Sequence, residues 1–237
     1  MTAIMSAFKR FLSGILDDFM LTVCILAPII MGAALRFGIP ILENFLCRTF
    51  SESYILKPYY LIFDLLIVVM TPMMLAFSGV MTTLEELDNG TAKYLMVTPV
   101  GKTGYLTSRI CVLPAAGIIY SVIVIIIFGI SDINLLMNFL LSVTSAVTGI
   151  IVSFLVVAFA GNKVEGMALT KLCGIFILGI PAVFFLPTPI SYLCGVIPSY
   201  WFTLMAKSNN YIYALPILAT SAVWFILIYK KFSSKLV

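Results

Sequence analysis

Apolar runs close to the roughly 20 residues that a bilayer-crossing helix needs recur along this chain, separated by short polar stretches. The alternation predicts spans at 19–42, 59–83, 108–130, 134–160, 169–187 and 211–230. Prolines 28, 72, 114, 181 and 216 fall inside them, where membrane helices accept a kink if neighbours satisfy the freed carbonyls. Ahead of the first span, Ile4, Met5, Phe8, Phe11, Leu12, Ile15 and Leu16 repeat at helical spacing. Lys9, Arg10, Ser13, Asp17 and Asp18 stand between them, so residues 1–18 predict an amphipathic helix in the headgroup plane. A secretory signal would need small residues where Asp17-Asp18 stand. The uncharged run 172–206 is too long for one helix and is broken at Pro187, Pro189 and Pro198. That predicts a re-entrant segment, dipping back from the outer face before the last span.

Composition agrees with this pattern. The chain is 62% hydrophobic and 10% charged, with a mean hydropathy of +1.15. Only a bilayer solvates that much apolar surface, and the fold class is an all-α polytopic membrane protein of one unit, 1–237. Histidine is absent, which removes the commonest general base and metal ligand, and the five cysteines have no metal-like spacing. Cys24, Cys111 and Cys173 lie in apolar runs as packing residues; Cys47 and Cys194 fall in predicted outside segments, where they are able to pair. No metal site and no nucleic-acid partner is expected. The net charge of +4 matters only through its placement. Lys9, Arg10, Lys93, Lys102, Arg109, Lys163, Lys171, Lys230, Lys231 and Lys235 fall on the N-terminal side, against Arg36, Arg48, Lys57 and Lys207 opposite. The positive-inside rule therefore puts both termini, and the loop 84–107, in the cytoplasm.

That loop contains Gly101-Lys102-Thr103, a fragment of a phosphate-binding motif. The glycine such a motif needs five positions earlier is Met96, no strand precedes it, and Pro99 removes an amide from the cradle. The nucleotide reading fails. Asn89-Gly90-Thr91 matches a glycosylation acceptor but, in the cytoplasm, reads as a turn. Thr83 with Glu86 predicts a capping box at a helix start, and Thr91 predicts the cap of a short helix, Ala92 to Val97, that Thr98-Pro99 ends. Tyr94 and Leu95 make that helix half apolar, which fits either a partner's grip or a loop folded on its own helix ends.

Glu86, Asp88, Gly90-Thr91, Leu95, Thr98-Pro99, Tyr105-Leu106 and Arg109 together resemble the acidic-x-acidic-x-Gly-Thr…Leu-x-x-Thr-Pro pattern of type-2 ATP-binding-cassette (ABC) permeases, at the family's position between spans two and three. "NKVEGMALTK" (162–171) and "GVIPSYW" (195–201) resemble the small fluoroquinolone-export-type branch. The resemblance implies a bacterial cell-membrane export subunit without an ATP site or catalytic residues of its own. ATP and magnesium would sit in a separate cytoplasmic ATPase dimer, which pushes on Glu86, Asp88, Gly90, Thr91, Leu95, Thr98 and Pro99. It also implies a homodimer or a pairing with a sister permease, and an apolar or amphipathic cargo such as a drug, peptide antibiotic or lipid.

Other residues stay open at this point. Asp64, in the outer third of span two, contacts substrate, reaches the interface or accepts a hydrogen bond from Tyr59 or Tyr60. A substrate role for Asp64 would also suit an ion-coupled secondary transporter, the alternative function. Met70, Met73 and Met74 either line an adaptable cargo path or pack against lipid. Arg36 is expected to snorkel to headgroups, Tyr192, Tyr200 and Trp201 to form an interfacial belt, and Ser145, Gly149 and Ser153 to allow close helix packing.

Overall fold

Lipid tails are as apolar as leucine, so helices in a bilayer associate through close van der Waals packing at small residues and through polar contacts between spans. The computed structural model, which describes residues 18–97 and 101–235, follows this rule, and all its elements are helical. In chain order they are α1 (Phe19–Phe50), a 3-10 turn (Lys57–Tyr59), α2 (Tyr60–Asp88), α3 (Thr91–Met96), α4 (Gly101–Leu106), a π-helical turn (Thr107–Cys111), α5 (Val112–Phe128) and α6 (Leu135–Phe159). There follow α7 (Lys163–Leu172), a 3-10 turn (Cys173–Ile177), α8 (Gly179–Phe185), α9 (Thr188–Ser191), a 3-10 turn (Tyr192–Val196), α10 (Pro198–Ser208), a 3-10 turn (Tyr211–Tyr213) and α11 (Ala214–Lys235). Among the described residues, six stretches are long and apolar enough to cross a membrane: Leu21–Phe50, Lys57–Asp88, Thr107–Phe128, Leu135–Phe159, Lys163–Phe185 and Tyr211–Tyr229. Of the predicted interfacial helix 1–18, only Asp18 falls among the described residues.

Helix α2 is the axis of the bundle, packed against α1, α5, α6 and α7. Pro72 stands at its middle, where a Cβ on Gly117 of α5 would come within 2.8 Å of the Pro72 Cα, and one on Gly149 of α6 within 3.1 Å of the Pro72 carbonyl oxygen. Three helices thus meet at one proline. The proline ring cannot donate to the carbonyl of Val68 one turn earlier, and Ser121 Oγ of α5 donates to that oxygen instead at 3.3 Å. The Ser145-Gly149-Ser153 stripe packs within the chain, as the sequence predicts, with Ser145 and Ser153 buried and bonded to carbonyls of their own helix.

Two apolar clusters lie on either side of Pro72. One gathers Val80, Met81, Leu84, Ile110, Val156 and Phe176, toward the end where α2 hands over to α5 through α3 and α4, here termed the elbow end. The other gathers Leu65, Val68, Ile125, Leu141, Phe202 and Met205, toward the far end.

Several boundaries differ from the sequence reading. Helix α2 continues from 83 to Asp88, because Thr83 is buried and its Oγ1 donates back to Gly79 O at 2.7 Å; Thr83 and Glu86 lie inside a helix and form no capping box at its start. Helix α1 extends past 42 to Phe50, its last turns held by Glu43, which accepts from Ile55 N at 2.8 Å and Leu56 N at 2.6 Å and so closes the α1–α2 loop. The fifth crossing starts at Lys163 rather than 169 and stacks α7, the 3-10 turn and α8 end to end. All five cysteines, Cys47 and Cys194 included, are free thiols. After α8 the chain runs through α9 and a 3-10 turn to α10, whose Ser199 and Tyr200 lie where a Cβ on Gly179 would fall, while Trp224 Nε1 of α11 donates to Val196 O at 2.9 Å.

The Pro72 junction gives a direct test. Gly117→Val forces α5 away from α2 and should cost about 1–3 kcal/mol through overpacking. It should lower the thermal midpoint of the purified protein in detergent, whereas substitution at the open Gly38 should leave it unchanged.

Candidate functional site

The elbow begins where α2 ends. Its last turn carries Glu85, Glu86 and Asp88, and each acid has a partner from another segment. Glu86 reaches across to the start of the third crossing. Arg109 Nη2 donates to its Oε1 at 2.9 Å, Arg109 Nε to Oε2 at 3.2 Å, and Tyr105 Oη to Oε2 at 2.8 Å. Arg109 is only 2% exposed, so this charge is satisfied by the protein rather than by water. The guanidinium lies 5.4 Å from the Tyr105 ring centre. Burial, and then the negative charge of Glu86, push the Tyr105 hydroxyl well above its ordinary range, keeping it a proton donor.

The placement has a backbone cause. Thr107–Cys111 forms a π-helical turn, and a Cβ on Gly79 would meet Arg109 O at 2.7 Å. Widening the helix by one residue swings Arg109 toward α2, and a glycine there lets the two backbones touch.

The second motif, 162–171, closes onto the same place. Asp88 Oδ2 accepts from Lys163 N at 2.8 Å, while Lys163 Nζ pairs with Glu85 at 2.6 Å and stands 3.7 Å from Asp18. Asn162 Oδ1 accepts from Glu165 N at 2.9 Å, and Glu165 Oε2 accepts from Gly161 N at 2.6 Å, making a reciprocal cap at the start of α7. Gly166 packs beneath Leu84, whose Cδ1 would lie 2.2 Å from an added Cβ. The elbow and the α6–α7 connection form one clamped unit.

Of the residues the family pattern singled out, Glu86 is half-buried in the clamp and Asp88 caps the α6–α7 connection. Gly90 holds φ +73°, which lets α2 turn into α3; its neighbour Asn89 keeps an ordinary negative φ of −80°. Thr91 is exposed at the first position of α3, whose N-cap is Gly90 rather than Thr91; Leu95 is half-buried beside the buried Ala92. Thr98 and Pro99 lie outside the described residues. Beside the exposed Thr91 and Lys93, α3 and the residue after it leave two large apolar side chains uncovered: Tyr94 is 75% and Val97 83% exposed. Arg109 and Lys163 are the partners that the reading of single motifs missed. Opposite charges at the two ends of one loop signalled the first; the Asn-x-x-Glu spacing at 162–165 signals the cap of α7 but not the reach of Lys163 to α2.

Asp64 sits at the far end, fully buried. Its carboxylate accepts from Ile130 N at 3.0 Å, Ser131 N at 2.6 Å and Ser131 Oγ, and so closes the α5–α6 loop. Arg36, exposed at the same end, adds to that loop by donating from Nη1 to Gly129 O. Met70, Met73 and Met74 do come together. With Cys24, Phe77, Val152, Met167 and Lys171 they line a crevice of about 360 Å³ between α1, α2, α6 and α7. No cluster of metal-binding side chains exists among the described residues.

The sequence also matches known proteins. Residues 11–229 match the family described as fluoroquinolones export permease protein Rv2686c-like. Two curated relatives, the fluoroquinolones export permease proteins of Mycobacterium tuberculosis strains H37Rv and CDC 1551, are each 25% identical over 201 residues, covering 83% of this chain and 79% of theirs. No solved structure matches the chain.

The clamp predicts a non-additive mutant cycle. Arg109→Met strands the Glu86 carboxylate and should cost about 3 kcal/mol, while adding Glu86→Met should return part of that loss. Denaturation in mixed micelles reads both values; strictly additive costs would mean that the two groups do not act together.

Proposed function

The chain belongs to the fluoroquinolones export permease family, and from that premise we propose that it is the membrane half of an ATP-driven ABC exporter, fuelled through the elbow. The observation that carries this reading is the combination of a rigid clamp with an uncovered apolar surface. Tyr94 and Val97 stand exposed beyond the end of α2, on a helix too polar in its surroundings to sit among lipid tails. Behind them, Glu86 ties α2 to the root of α5, and Asp88 ties it to α7. A partner pressing on α3 would therefore move three spans together rather than bend a loop.

In this reading the elbow faces the cytoplasm, as do both termini, and the partner is a cytoplasmic ATPase dimer that holds the ATP and magnesium. The permease works beside a second copy or a sister chain in a bacterial cell membrane. The cargo is apolar or amphipathic, in keeping with what the relatives' names say they export. The Met70-Met73-Met74 crevice is its path, because unbranched thioether side chains adapt to varied apolar shapes. The segment 187–208 is a hairpin that enters from the far face and returns, which accounts for Val196 meeting Trp224 and Ser199 meeting Gly179.

The test is capture of an ABC ATPase by the tagged chain from its native membrane, followed by ATP-dependent cargo movement in vesicles. Tyr94→Asp with Val97→Asp should reduce ATPase capture about tenfold by charging and hydrating the contact, without shifting the thermal midpoint. Full transport by the permease alone, without ATP, would refute the proposal.

A further inference from the structure

The far end holds a groove whose chemistry differs from the lipid-facing surface around it. It encloses about 460 Å³ between α8, α9, α10 and the 3-10 turn before α11, within the size range of small-ligand sites. Tyr192, Tyr200, Trp201 and Tyr213 wall it, with Ser191, Lys207 and Ser208 among its polar groups. The walls are built rather than loose. Tyr200 and Ser191 are buried with their hydroxyls 3.2 Å apart, and Trp201 Nε1 donates to Gly195 O at 2.6 Å. Trp201 stands edge-on to Tyr200 at 5.2 Å and stacks on Tyr213 at 6.3 Å.

Lys207 supplies the charge. Its ammonium donates to Val183 O at 3.2 Å and lies 4.5 Å from the centre of the Phe184 ring. No carboxylate lines the groove, and among the described residues no ion pair involves Lys207. An ammonium has three donors, and the carbonyl takes one. A cationic ligand would meet Lys207 without a countercharge, whereas an anion would find a charge, hydroxyl donors and flat rings for an attached apolar body.

We propose that this groove seats the anionic group of an amphipathic ligand at the membrane edge opposite the elbow, with Lys207 as its countercharge. The shared chemistry is one negative group on an apolar body, which a phospholipid headgroup or a flat aromatic carboxylate provides. The site stands apart from the ATPase contact, so its test needs no ATPase.

The full-length chain, purified in micelles, is titrated with phosphatidylglycerol, with phosphatidylcholine of the same tails, with nalidixate, and with nalidixate ethyl ester, and binding is read by native mass spectrometry. At least one anionic probe should bind more tightly than its uncharged or zwitterionic counterpart. Lys207→Gln should weaken that probe about tenfold, as loss of a charge-assisted contact does, and Lys207→Arg should restore it. Loss confined to phosphatidylglycerol assigns the groove to lipid, and loss confined to nalidixate assigns it to a soluble carboxylate. Binding that ignores Lys207, or that does not distinguish charged from uncharged probes, overturns the proposal. Lys207 is exposed, so its variants keep the fold, and an unchanged thermal midpoint checks this.

Discussion

At four places where this chain turns back on itself, a helix-borne carboxylate holds the turn. Glu43 takes the amides of Ile55 and Leu56, Asp64 those of Ile130 and Ser131, and Asp88 that of Lys163, while Glu86 takes a guanidinium and a phenol. The physical need is plain. Backbone N–H groups near the hydrocarbon edge have little water to bond, and each one left bare costs several kcal/mol. A carboxylate accepts several donors at once and takes strong hydrogen bonds from them.

Three of these four acids belong to α2, with Asp64 near one end and Glu86 and Asp88 at the other. At 29 residues the helix is about 44 Å long, more than a bilayer's hydrocarbon thickness. It is fastened to α5 at both ends, through the Ile130-Ser131 loop and through Arg109, and it touches α5 and α6 without side chains between them at Pro72. A helix so fixed carries displacement as a rod. On the proposed function, a push on a surface as small as α3 would then reach α5 and α7 as well as α2.

The sequence made the spans legible, because hydropathy over a window as long as a membrane leaves little ambiguity. It was less clear where polar residues ended a span. Thr83 and Glu86 read as a helix start because their spacing matches a cap, yet Thr83 spends its hydroxyl on its own helix and Glu86 on Arg109, across 23 residues. A local rule cannot see a partner that distant. The same limit hid the role of Asp64: depth marked it as unusual, but its partners arrive from the α5–α6 loop 66 residues later. The methionines were legible as a group because Met70, Met73 and Met74 share a helix face, and the structure gathers that face around a crevice. The two motifs, 84–107 and 162–171, gave no sign in isolation that they meet, since the contact depends on Gly166 beneath Leu84 and on Asp88 at the Lys163 amide.

The most direct measurement of this account is hydrogen exchange on the purified protein in lipid nanodiscs, resolved to the amides of Ile55, Leu56, Ile130, Ser131 and Lys163. If the carboxylates hold the turns, these loop amides exchange as slowly as those of the buried middle of α2, and Asp64→Ala releases Ile130 and Ser131 alone. Exchange at all five within seconds, at the pace of an open loop, would contradict the account.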